Sequence, residues 1–161
     1  MKSTIKLAMK PKWDEIEKVR IKSHDFLVSQ GLDNDSVHAF TMVIRELVEN
    51  SVKYGKFGST QNKVILSINI SNNMIIAEVI NSVDETVLQH LRKLDKTLQW
   101  IRGFQDPFQA YVERIKQISR KPFDDEISGL GLVRIAYEGN AILDFFLSED
   151  NQLNVSAVSN F

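Results

Sequence analysis

The chain has 161 residues, 43% of them apolar and 25% charged, and it contains no cysteine. That length suits one domain, and that composition belongs to a globular chain rather than a disordered one. With 20 Lys and Arg against 21 Asp and Glu, the formal net charge is -1; a strongly basic nucleic-acid binder is disfavoured, and disulfides, thiolate zinc sites and a cysteine nucleophile are excluded.

Thr4 to Met9 alternates polar and apolar residues and predicts a first strand. Pro11 then opens a helix carrying Trp13, Ile16, Val19, Phe26 and Leu27, with Gly31 as its stop. Asp33 or Asp35 caps a second helix, whose apolar stripe is Val37, Phe40, Ile44, Leu47, Val48 and Val52 and whose end is Gly55. A polar loop leads to two strands, Lys63–Ile70 and Met74–Asn81, joined by Ser71-Asn72-Asn73, which is hairpin-turn chemistry. The second of these is the longest apolar run of the chain, yet it contains Glu78 and is far too short to span a membrane.

Val87, Leu88, Leu91, Leu94, Leu98 and Ile101 mark a long amphipathic helix, and Asp106-Pro107 starts another with Phe108, Tyr111, Val112, Ile115 and Ile118 on one face. Residues 83–127 therefore read as a helical insert or lid within a single domain spanning 1–161. A polar stretch with the run Asp124-Asp125-Glu126 follows, and Gly129-Leu130-Gly131-Leu132 opens a helix through Tyr137. A hairpin of Ala141–Leu147 and Leu153–Val158 closes the chain. The expected class is α+β: a two-layer α/β sandwich, a mostly antiparallel mixed sheet with helices on one face. The expected setting is the cytoplasm, with neither nucleic acid nor membrane as partner.

The stretch with chemical content is Ile44 to Gly55, on the second helix. Glu46, Asn50 and Lys53 recur at i, i+4 and i+7 and share one stripe, opposite the apolar residues. A carboxylate, an amide and an ammonium in line suit a magnesium–triphosphate site. The amide oxygen can ligate a hard cation, the ammonium can meet phosphate oxygens, and the carboxylate can take a proton from a hydroxyl. By itself the stripe is also ordinary for a solvated helix face, where a charged pair adds only ~0.2–0.5 kcal/mol. The second element is Ser128-Gly129-Leu130-Gly131-Leu132 at a loop-to-helix junction, where backbone N–H groups can face a phosphate. A bare G-x-G is weak on its own. No Gly-x-Ser-x-Gly element or metal-ligand spacing of His24, His38 and His90 points elsewhere.

Taken together, E-x-x-x-N-S-x-K-Y-G, a hairpin, a helical stretch, G-L-G-L at a helix start and a final hairpin resemble the GHKL (Bergerat-fold) ATP-binding domain. Within that superfamily the chain is most similar to the bacterial anti-sigma-factor serine kinases and the SiaB-type partner-switching kinases. The resemblance implies ATP and Mg2+ as ligands, with Glu46 as general base and Asn50 as the magnesium ligand. It implies Lys53 at phosphate and Gly129, Leu130 and Gly131 as the second glycine box. It implies a Ser or Thr kinase acting on a small regulatory protein, substrate or antagonist, and leaves a homodimer open. One departure matters: where the family carries D-x-G-x-G after the second hairpin strand, this chain reads Asn81-Ser82-Val83. Asn81 can still accept a hydrogen bond from the adenine amino group, but without charge, which removes ~1–3 kcal/mol of binding. The alternative is therefore a degenerate module that sequesters a protein partner without catalysis.

Overall fold

A computed structural model of the chain describes residues 2–55, 63–120 and 130–161. Ten elements follow in the order β1 (Lys2–Met9), α1 (Trp13–Ser29), α2 (Asn34–Tyr54), β2 (Val64–Ser71), β3 (Met74–Ser82), α3 (Val87–Arg102), α4 (Pro107–Arg120), α5 (Leu130–Tyr137), β4 (Ile142–Leu147) and β5 (Gln152–Asn160). The strands form one sheet in the order β1-β2-β3-β5-β4. Every neighbouring pair is antiparallel, so the mixed character expected of the sheet is absent among the described strands. The α+β class stands.

Local chemistry sets these elements. The β2–β3 turn falls on Asn72 and Asn73, both with positive φ of 49° and 63°. Two left-handed residues in a two-residue loop match the right-handed twist of the strands, and asparagine tolerates that conformation. The turn pins the register at Ser71 opposite Met74. α1 stops where Gly31 takes φ 78°, a conformation that costs other residues more. α2 begins at the Asp33 cap, whose carboxylate accepts from the Ser36 backbone N–H at 2.9 Å and the Ser36 hydroxyl at 2.7 Å. Those bonds to the ionised form hold the Asp33 pKa below its ordinary value.

The sheet buries one face. Val64, Leu66, Ile68 and Ile70 of β2, Ile75, Ala77 and Val79 of β3, and Leu153, Val155 and Ala157 of β5 point into the core. α2 lies across β2, β3 and β5 and is flanked by α1 and α5. Its residues Val37, Phe40, Val43, Ile44, Leu47 and Val48 are buried in the same cluster. Of the region 83–127 expected as a helical insert or lid, Val83, Val87, Leu94 and Leu98 pack into the main core. A second, smaller cluster of Ile101, Ala110 and Val133 ties α3, α4 and α5 together. Among the described residues no helix is long and apolar enough to cross a membrane.

Candidate functional site

α2 is both the core helix and the carrier of the site. Its buried face fixes its rotation, so Glu46, Asn50 and Lys53 emerge along one edge. All three line a cavity of about 350 Å3, within the usual range of ~300–1,000 Å3 for small-molecule pockets. Opposite them stand Gly131, Leu132 and Ile135 of α5, and His90, Lys93, Leu94 and Thr97 of α3. Trp13 of α1 is 61% exposed and forms part of the cavity wall.

Glu46 is held through one oxygen and closely approached at the other. Arg134 of α5 donates from Nη1 to Oε1 at 3.2 Å. Oε2 faces Gly131 so closely that a Cβ built there would overlap it. The glycine is therefore present for close approach: a side chain at this position and the carboxylate in this position exclude one another. Burial pushes the Glu46 pKa up, assisted by the negative charge of Glu49. Arg134 and Arg45 oppose the shift but do not cancel it. Arg134 shares its guanidinium with Glu138, which accepts from Nε and Nη2 at 3.2 Å each, so only part of its charge compensates Glu46. A carboxylate with a raised proton affinity, aimed into a cavity, is suited to accept a proton.

Tyr54 and His90 stack with ring centroids 3.4 Å apart and planes 14° from parallel. Lys53 Nζ lies 5.2 Å from the Tyr54 centroid. Burial, and repulsion from Lys53 and Lys93, push the His90 pKa down to about 4. The ring is thus neutral at physiological pH and can stack without an added cation. Beneath the stack is a void of about 10 Å3, bounded by Leu47, Asn50, Ser51, Val79, Leu153 and Asn81. Asn81 is 1% exposed. Its amide donates to the Ser82 carbonyl at 3.3 Å, while Oδ1 has no hydrogen-bond partner among the described residues. A buried acceptor without a donor is costly, and it marks a place where a donor would be held.

The sequence expectations divide accordingly. Glu46, Asn50, Lys53 and Gly131 are brought to one cavity. Asn81 is not in its lining; it sits behind the Tyr54–His90 stack, linked through Asn50, Tyr54 and His90, which border both spaces. Leu130 packs into the second apolar cluster instead of the cavity, and Leu132 takes the lining position. Gly129 and the acidic run Asp124-Asp125-Glu126 lie outside the described residues. Three participants carried no sequence signal: Arg134, Tyr54 as a stacking ring, and His90. Arg134 is 88 residues from Glu46, and no spacing rule connects them.

No protein-family model matches the chain, and a search of curated proteins finds no match.

Proposed function

We propose that the chain is an ATP-dependent serine/threonine protein kinase that phosphorylates a small regulatory protein in the cytoplasm, in the manner of partner-switching kinases. The observation that carries this reading is the shared cavity: a half-buried carboxylate with raised proton affinity, an amide and an ammonium on one helix edge, faced by a glycine at the opening turn of another helix.

The residues fit Mg2+–ATP. Asn50 supplies a neutral oxygen for the cation. Magnesium bound to a triphosphate takes few protein ligands, and among the described residues no three of His, Asp and Glu gather to hold a metal unaided. Lys53 and Lys93 bring positive charge to the phosphate side. The orphaned Asn81 Oδ1 is chemically an acceptor that would suit an exocyclic amino group. Magnesium would neutralise developing charge on the phosphates. Glu46 would take the acceptor's proton as its oxygen bonds to the terminal phosphorus and the bond to ADP breaks. Arg134 holds the carboxylate for that step.

Calorimetric titration with Mg2+–ATP tests the reading. A micromolar Kd, about -8 kcal/mol, that is lost in Asn50→Ala supports it. No heat, with no thermal stabilisation at millimolar ATP, refutes it. One observation favours a second reading, a non-catalytic module that binds a protein partner: Asn81 is closed off behind the Tyr54–His90 stack. That module would show partner binding unchanged by ATP.

A further inference from the structure

The open cavity and the buried Asn81 acceptor make different demands on a nucleotide. The open cavity offers groups for phosphate and metal: Asn50 and Lys53 from α2, Lys93 and Thr97 from α3. Burial first, and then repulsion from Lys53 and Lys93, lower the His90 pKa, so both ammoniums converge on the part of the cavity that His90 walls. The two carboxylates of the lining are already met by cations, Glu46 by Arg134 at 3.2 Å and Glu49 by Arg45 at 2.8 Å.

Asn81 Oδ1 suits an exocyclic amino group by its chemistry but not by its place. It lies behind the Tyr54–His90 stack, and the void on its side is about 10 Å3. That is room for about one water molecule and not for a base. A base carried by a triphosphate in the open cavity meets other walls. Leu94, Leu132 and Ile135 are aliphatic, and among the described residues of this lining Trp13 is the one ring outside the stack. It is also largely exposed, at the first turn of α1. An aromatic face stacks on any base, because every base has a π-face and stacking needs no particular donor or acceptor.

We propose that the nucleotide site reads the triphosphate and not the base: Asn50, Lys53 and Lys93 hold Mg2+ and phosphates, and Trp13 is a stacking platform that accepts purines without selecting adenine. The proposal rests on the nucleotide-binding part of the kinase reading and adds to it which groups set specificity.

Inosine triphosphate isolates the question, because its purine matches that of ATP in size but has a carbonyl in place of the exocyclic amino group. Calorimetry on the full chain should give Mg2+–ATP and Mg2+–inosine triphosphate Kd values within about threefold of each other. Mg2+–tripolyphosphate, which has no base to stack, should bind about tenfold more weakly than either. Trp13→Ala should weaken both nucleotides about tenfold and leave tripolyphosphate unchanged, and Trp13→Phe should restore most of the loss. The side chain is largely exposed, so the melting temperature should barely move and the loss in affinity is not a loss of fold. A preference for ATP beyond about threefold means that the amino group is read; it overturns the proposal and leaves the kinase reading standing. Unchanged nucleotide binding in Trp13→Ala, an equal loss of tripolyphosphate in that variant, or failure of tripolyphosphate to bind where ATP does, overturns the proposal as well. Binding of none of the three ligands overturns the nucleotide reading and the proposal with it.

Discussion

Two glycines, Gly131 and Gly139, should respond to alanine in opposite ways. At Gly131 the new Cβ would meet the Glu46 carboxylate, Oε2 first and then Cδ at 3.2 Å. The obstacle is the end of a flexible side chain, so it moves aside at small cost. The substitution lies in the first turn of α5, where alanine regains up to ~1 kcal/mol of helix propensity over glycine. The two effects offset, and urea denaturation should place Gly131→Ala within ~1 kcal/mol of the parent chain. The carboxylate, however, must shift by roughly 1 Å, and a displacement of that size costs about a hundredfold in a positioned reaction. On the proposed kinase reading, phosphoryl transfer should fall by that factor while Mg2+–ATP affinity stays close to that of the parent chain. At Gly139 the Cβ would overlap Val43 Cγ2 and lie 2.7 Å from the Ile135 carbonyl oxygen. Val43 is fully buried and the carbonyl is backbone, so nothing yields easily. Gly139→Ala should lose ~1–3 kcal/mol or more of stability, with the turnover of the folded fraction preserved. The reasoning fails if Gly131→Ala transfers phosphate at the parental rate, or if it is the less stable of the two variants.

Three further outcomes follow from the same geometry. Because the fold favours neutral His90, the unfolded chain binds more protons between pH 6.5 and about 4, so stability should fall as pH falls through that window. The loss should be ~1–2 kcal/mol once the ring's partial exposure is allowed for; urea melts should show it in the parent chain and not in His90→Phe, which keeps a stacking ring. Arg134→Gln should raise the Glu46 pKa further, since the guanidinium favours the ionised form; a carbon-13 carboxyl titration that finds it unchanged or lowered would contradict the ion pair. Asp33→Ala removes the cap from the Ser36 N–H and should lower the melting temperature by a few degrees, whereas an unaltered melt would mean the cap contributes nothing.

What was legible in the sequence follows how local the cause is. The α2 boundaries could be read because Asp33 and Gly55 act on their own neighbours, and the structure places the helix between them. The β2–β3 turn was legible because Asn72 and Asn73 accept positive φ with no help from elsewhere. Glu46, Asn50 and Lys53 were legible as a stripe for the same reason: helical geometry fixes their common edge before any tertiary contact forms. That α3 enters the main core through Leu94 and Leu98 was not legible, because an amphipathic face shows that a helix is covered but not by what. The place of Trp13 was not legible for the same reason, since an aromatic at helical spacing can line a cavity as readily as fill a core.

The remainder of the site depends on long-range registry, and Glu46 shows how. Its proton affinity is not a property of the motif. It arises from burial under α5, from Glu49 one turn away, and from a guanidinium on a helix 88 residues later that divides its charge with Glu138. The motif therefore specifies which groups are offered along α2, while the approach of α5 decides what they can do. Gly131 links the two levels: it permits α5 to come near enough for Arg134 to reach Glu46 while leaving the second oxygen of the carboxylate unobstructed. A larger residue there could preserve every element of the fold and still separate Glu46 from Arg134, which is why, on the proposed kinase reading, stability and transfer are expected to part company at this one position.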